Sequence, residues 1–123
     1  MGTTLSANAL SLAAMRATLE QVMTPQAYAH MDGLAARLAV ALQRVIDQYE
    51  VPWHVVRVGA RVEFICAPGP LRNGTEAEAA HAPALEQAIH LALLNRGCLI
   101  APFHNMMLVS PATTAAQVAT LCD

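Results

Sequence analysis

The stretch WHVVRVGARVEFIC, residues 53–66, predicts the β-strands on which the fold of this chain depends. β-branched and aromatic residues fill its two halves, Trp53–Val58 and Arg61–Cys66, and Gly59-Ala60 separates them. Two such runs with a short glycine-containing break are typical of consecutive β-strands. The pattern leaves open whether the two strands pair as a hairpin or follow each other around a bend.

Two helices are predicted before the strands. The first begins near Ser6, a good N-cap residue, and Thr24-Pro25 marks the start of the second, with Thr as N-cap and Pro at the first helical position. Each has an apolar stripe at helical spacing. The stripes are Leu12, Met15, Leu19 and Val22 on the first helix, and Tyr28, Met31, Leu34, Leu38, Leu42, Val45 and Tyr49 on the second.

Further elements are predicted after the strands. A loop at Ala67–Ala80 precedes a helix at Pro83–Asn95, whose inward positions are Leu85, Ile89 and Leu93, with Ala92 beside them, and Gly97 is its stop. Short strands at Cys98–Pro102 and Met106–Val109 precede a last helix that starts near Pro111–Thr114. The order α-α-β-β-α-β-β-α predicts an α+β domain: a small, mostly antiparallel sheet with helices packed on one face.

The composition indicates one domain that meets a partner surface. The chain has 123 residues, 55% of them hydrophobic and only 13% charged, with a mean hydropathy of +0.39. That is more apolar surface than one small domain readily buries, so another domain or subunit is expected to cover part of it. The alternative is an alanine-rich composition without a partner.

Charge and hydropathy argue against several classes of protein. The net charge of −2 shows no basic stripe, so nucleic-acid binding is not predicted. The N-terminus lacks the pattern of a signal peptide, and no apolar run reaches the length of a membrane span. The three cysteines, Cys66, Cys98 and Cys122, have no close spacing and are predicted to be reduced, mostly buried thiols in a cytoplasmic protein.

Candidate chemistry is sparse. Glu86 and His90 lie four residues apart on a predicted helix, but no zinc motif is present and no metal site is predicted. Nucleophile-elbow and phosphate-loop motifs are also absent from the sequence. Gly2-Thr3-Thr4 offers hydroxyls and backbone N–H groups before a helix, which suits an anion such as phosphate. The alternative for this turn is an ordinary helix cap.

The opening segment GTTLSANALSLAA, residues 2–14, resembles class III aminotransferases, which are fold type I enzymes dependent on pyridoxal phosphate. Within them it is most similar to the glutamate-1-semialdehyde 2,1-aminomutase branch, whose pattern is Gly-Thr-Leu-Ser-Gly-Asn-Pro-Leu-Ala. The resemblance covers nearly the whole chain. Its further segments are 28–42, the strands of 53–66, LNRGCLIAP at 94–102 and SPATT at 110–114.

The resemblance implies that residues 1–123 form the C-terminal small domain of such an enzyme, without its large cofactor-binding domain. It implies a homodimer in which Thr4, with Thr3 beside it, contacts the phosphate of the partner subunit's pyridoxal phosphate. The family's Schiff-base lysine lies upstream, and this chain has no lysine: its seven basic residues are all arginines. The chain alone is therefore expected to bind no cofactor and to be inactive.

One departure from the family concerns the substrate. The aminomutase branch has a glutamate facing the substrate shortly before the second short strand, and here Asn105 takes about that place. Asn105 and His104 are the predicted contacts with a small amino or keto substrate. The missing acid leaves aminotransferase and aminomutase activity both open. The competing hypothesis is a non-enzymatic α+β module that dimerises through its apolar face.

Overall fold

The computed structural model describes residues 8–101 and 105–122. In those residues, five α-helices and three strands form an α+β domain with one antiparallel sheet, as predicted. The elements are α1 (Ala9–Ala17), a π-helical turn (Thr18–Val22), α2 (Pro25–Gln48), β1 (His54–Val58), β2 (Arg61–Ile65), α3 (Gly74–Ala79), α4 (Pro83–Leu94), β3 (Met106–Leu108) and α5 (Ala115–Cys122).

The sheet is built around the hairpin of β1 and β2. Val58 pairs with Arg61 across the two-residue turn, and Gly59 adopts a φ of 56°, which glycine tolerates better than other residues. Of the two arrangements that the sequence allowed, the hairpin is the one formed. β3 adds to the other edge of β2, with Met107 opposite Val62, so the strand order is β1-β2-β3.

Helix α2 packs on one face of this sheet and supplies half of the buried core. Its start is as predicted, since Thr24 Oγ1 accepts a hydrogen bond from the Ala27 backbone N–H and Pro25 is the first helical residue. Every second residue of a strand lies on the face that packs against the helix. The buried core consists of Met31, Leu34, Ala35, Leu38, Ile46, Val62, Phe64, Ile100, Met107 and Val109.

The predicted stripe of α2 is correct at its centre and wrong at its ends. Met31, Leu34 and Leu38 are buried, but Tyr28, Val45 and Tyr49 are exposed, and Ile46 is buried instead of Val45. Over 24 residues, the buried positions drift around the helix because 3.6 residues per turn does not match a fixed spacing of three and four.

The first helix begins later than predicted. Asn8 is its N-cap, with Oδ1 accepting from the Ser11 backbone N–H, while Ser6 lies outside the described residues. Its predicted stripe is not buried: Leu12, Met15, Leu19 and Val22 are all at least 46% exposed. Exposed apolar residues on the first two helices were expected if another domain covers them.

Two segments between elements differ from expectation. The predicted loop at residues 67–80 contains α3, because Asn73 Oδ1 accepts from the Glu76 backbone N–H and caps it. The predicted strand at Cys98–Pro102 is wrong for residues 98–100, since only Ala101 pairs with the sheet, through a bridge to Met106. Pro102 lies outside the described residues.

The two remaining helices begin close to their predicted positions. α4 starts at Pro83 and presents Ile89 and Leu93 to the core, but Leu85 is 39% exposed. α5 starts at Ala115, where Thr114 Oγ1 accepts from the Gln117 backbone N–H. None of the helices in the described part of the chain is both long and apolar enough to span a membrane.

Candidate functional site

Three polar side chains meet at one end of the sheet. His54 is the first residue of β1, Cys66 directly follows β2, and Asn105 directly precedes β3. In an antiparallel sheet, the start of one strand lies beside the end of its neighbour, so all three residues come to the same end. We call His54, Cys66 and Asn105 the sheet-end cluster.

Asn105 is the most enclosed member of the cluster. It is 4% exposed and is the one polar residue among the buried residues that the structure describes. Its backbone has a φ of 43°, a left-handed conformation that asparagine tolerates better than most residues. Beside it, the Ala101 backbone N–H donates to the Met106 carbonyl over 3.1 Å, which fixes the start of β3.

The side chain of Asn105 contacts the thiol of Cys66. Asn105 Nδ2 donates to Cys66 Sγ over 3.8 Å, a normal length for a bond to sulfur. Burial raises the pKa of the Cys66 thiol, and the nearby Glu86 carboxylate raises that pKa further. The sulfur is therefore an uncharged thiol at neutral pH, and a poor nucleophile.

His54 ties the segment after β2 to the start of β1. Its Nδ1 lies 2.7 Å from the Ala67 carbonyl oxygen, so Nδ1 carries the hydrogen and donates it. The imidazole ring also lies against Gly69, leaving no space for a side chain there. The other ring nitrogen, Nε2, is buried without a hydrogen-bond partner among the described residues.

Glu86 has a different role from the one its spacing suggested. Its Oε1 accepts from the Ala82 backbone N–H over 3.1 Å and lies 3.5 Å from His81 Nδ1. Glu86 therefore accepts a hydrogen bond at the N-terminus of α4 and does not form a ligand pair with His90. Within residues 8–101 and 105–122, no three His, Cys, Asp or Glu side chains converge as a metal site.

The structure describes one of the four predicted site residues. Thr3, Thr4 and His104 lie outside the described residues, and Asn105 lies in the cluster. The sequence predicts Cys66 as a reduced, buried thiol and gives no direct connection between Cys66 and Asn105. The signal that could have connected them was their position at adjacent strand ends, once the hairpin and the antiparallel pairing of β3 were assumed.

A separate cavity lies beside β3. It has a volume of about 670 Å³ and opens between residues 97–101, β3 and α5. Its lining is mainly apolar and includes Leu38, Ile100, Met107, Val118 and Leu121. Asn105 does not line it, so the cavity and the sheet-end cluster are different features.

No protein-family model matches the sequence, but individual known proteins are similar to this chain. The chain is 34% identical over 99 residues to a glutamate-1-semialdehyde 2,1-aminomutase from Thermomicrobium roseum, matching 80% of this chain and 23% of that protein. A crystal structure of a glutamate-1-semialdehyde-aminomutase from Pseudomonas aeruginosa in complex with PMP superposes with a TM-score of 0.96. It has 49% sequence identity and covers 99% of this chain and 27% of that one.

Over nearly its whole length, the chain is similar to class III aminotransferases. The fold is shared with a more distant protein: an omega-transaminase from Sphaerobacter thermophilus has a TM-score of 0.75 at 22% identity, covering all of this chain and 28% of that one. The chain spans about a quarter of the length of the curated relatives it matches. The predicted resemblance and the predicted α+β fold are thus confirmed, and the likeness spans nearly all of this chain.

Proposed function

We propose that this chain is the C-terminal small domain, residues 1–123, of a pyridoxal-phosphate-dependent aminotransferase or aminomutase. The longer protein would move an amino group on a small amino or keto substrate. The observation that carries the proposal is the match to the aminomutase from Pseudomonas aeruginosa, at 49% identity over 99% of the chain. A likeness of that extent supports a shared role for the domain in the longer protein.

The residues of this chain do not make a complete cofactor site. Pyridoxal phosphate, when bound, acts as an electron sink for reactions at an amino-bearing carbon, and a lysine amine of the protein holds it. The sequence contains no lysine, so the amine has to come from chain that is not part of this sequence. Thr4 and Thr3 are proposed to contact the phosphate in a partner subunit, and both lie outside the described residues.

Substrate contact is proposed for Asn105 and His104. Asn105 supports this role because it is a polar side chain held at the end of the sheet in a fixed backbone conformation. The family resemblance places an acid near this position in the aminomutase branch. A neutral amide there favours neither activity, so aminotransferase and aminomutase activity both remain within the proposal.

The proposal extends to the assembly. Exposed apolar residues on α1 and the π-helical turn, including Leu10 at 81% and Leu19 at 60%, would be covered by the large domain of the same polypeptide. The longer protein is proposed to be a cytoplasmic homodimer. No contact with nucleic acid or a membrane is proposed.

The first test is the intact mass of the natural protein that carries this sequence, after borohydride reduction in extracts of the source cells. A chain several times heavier than 13.1 kDa and carrying a reduced pyridoxyl group on a lysine is the expected result. A free 13.1 kDa chain without the adduct would contradict the proposal. The non-enzymatic dimerisation module would then be the better explanation.

A second assay separates the two activities. The purified longer protein is incubated with candidate amino compounds, alone and together with a keto acceptor. An aminotransferase requires two substrates because it moves the amino group between molecules, whereas an aminomutase converts one substrate with no added acceptor. Absence of both conversions across a panel of small amino acids and amines would count against the proposed enzyme.

A further inference from the structure

The contact between Cys66 and Asn105 has a feature that ordinary core packing does not require. The core around it is apolar, yet Asn105 is 4% exposed and brings a full amide into it. Burying an amide without partners is costly, so the hydrogen bonds it makes determine how it is held. A left-handed backbone at Asn105, with a φ of 43°, further limits where the side chain can point.

The thiol of Cys66 is the partner that fixes this amide. Asn105 Nδ2 donates to Cys66 Sγ over 3.8 Å, and no other hydrogen bond of the Asn105 side chain involves the described residues. Among the described residues, neither the carbonyl oxygen Oδ1 nor the second amide hydrogen of Asn105 has a hydrogen-bond partner. They can accept from or donate to a molecule that reaches this end of the sheet.

Two nearby residues hold the sulfur itself in place. Cys66 directly follows β2, and the next residue, Ala67, is fixed to β1 by the bond from His54 Nδ1. Because burial raises the pKa of the Cys66 thiol, the sulfur stays uncharged at neutral pH and does not repel a carboxylate or a carbonyl oxygen. It therefore holds the amide without adding a charge to the site.

We propose that Cys66 is a positioning residue that holds the Asn105 amide in the orientation needed to contact a polar group of the substrate. The inference rests on the proposed function, because the substrate is the small amino or keto compound of the longer enzyme. Cys66 acts through Asn105 and performs no chemistry of its own. The neutral amide suits a carboxylate or carbonyl group, which an acidic side chain at the same place would repel.

The kinetic test uses the longer natural protein with single substitutions at two cysteines. Cys66→Ala removes the hydrogen-bond acceptor, and we expect KM to rise roughly three- to tenfold while kcat stays within about twofold. Cys66→Ser restores an acceptor, and KM should return to within about twofold of the wild-type value. Cys98→Ala is the matched control, because Cys98 is also half-buried but does not contact Asn105, and it should leave both constants unchanged.

A structural test uses the same longer natural protein, labelled with ¹⁵N at asparagine, and needs no activity. The side-chain amide signals of Asn105 in a ¹⁵N–¹H spectrum are assigned by their loss in Asn105→Asp. They should shift in Cys66→Ala, return towards the wild-type position in Cys66→Ser, and stay in place in Cys98→Ala. If Cys66→Ala does not fold, Cys66→Val removes the acceptor without loss of side-chain volume.

The outcomes separate this inference from the proposed function. If the wild-type enzyme is active but Cys66→Ala keeps the wild-type KM, or if the amide signals do not move, the role of Cys66 is overturned. If the longer wild-type protein transfers no amino group, the proposed function is overturned, and the substrate role of Asn105 with it. A higher KM together with a shifted amide, both reversed by Cys66→Ser, supports the inference.

Discussion

Gly69 shows how one residue sets the geometry beside the candidate site. A Cβ at this position would lie 2.5 Å from Cγ and Cδ2 of His54, whose ring cannot move away without breaking its bond to Ala67. We expect Gly69→Ala to lower the free energy of unfolding by about 1–3 kcal/mol, measured by urea denaturation. Gly33→Ala is the control: it lies inside α2 with no atom within 4 Å and should stabilise the chain by up to about 1 kcal/mol. Equal effects at the two glycines would contradict the packing described here.

The raised pKa of the Cys66 thiol predicts that the free energy of unfolding depends on pH. Its pKa is raised in the folded chain, so the unfolded chain loses this proton at a lower pH than the folded chain does. The contribution to stability is complete below the unfolded pKa and is lost as pH rises through the folded one. The difference in unfolding free energy between wild type and Cys66→Ser should therefore shrink in alkaline solution. A difference that is constant from neutral to strongly alkaline pH would show that Cys66 does not titrate as described.

The caps of α2 and α3 are predicted to differ in their contribution to stability. Thr24 caps α2, which carries half of the buried core, whereas Asn73 caps α3, which has no buried residue. Thr24→Ala should lower the free energy of unfolding by about 1 kcal/mol, because loss of the cap weakens the helix on which the sheet packs. Asn73→Ala should fray α3 locally and leave the global transition unchanged, since local opening needs less energy than unfolding of the core. Denaturation followed by circular dichroism measures the first effect, and hydrogen exchange at α3 amides measures the second. A global loss in Asn73→Ala as large as that in Thr24→Ala would overturn this division.

Exposed apolar side chains on α1 and the π-helical turn predict a contact that forms only in the longer protein. In the chain alone, Leu10 and Leu19 are largely in water, so the double change to Gln should alter its unfolding free energy by no more than about 0.5 kcal/mol. In the longer protein, the same double change should lower the melting temperature, because the proposed large domain would bury both side chains. Leu38→Ala is the reference, since Leu38 is 2% exposed and its truncation should cost about 2–5 kcal/mol in the chain alone. An unchanged melting temperature in the longer protein would mean that nothing covers Leu10 and Leu19.

Several helices and strands can be predicted from the sequence because their signals lie within a few neighbouring residues. The capped start of α2 at Thr24-Pro25, the two strand segments around Gly59-Ala60 and the start of α4 at Pro83 follow from residue type and spacing, and all are present. α3 was also within reach, because Asn73 and Glu76 have the spacing of a helix cap, but the surrounding prolines and glycines favoured a loop. The family was identifiable because short motifs recur in order along nearly the whole chain.

Which helix faces are buried, and which side chains contact each other, depends on the tertiary structure and cannot be read from spacing alone. Leu12 and Leu38 each belong to an apolar stripe with helical spacing, yet Leu12 is exposed and Leu38 is buried. The difference arises because burial depends on what packs against each helix. Cys66 and Asn105 are 39 residues apart and contact each other because antiparallel pairing brings the end of β2 beside the start of β3. Sequence periodicity reports which residues share a face, whereas strand pairing and packing fix what that face touches.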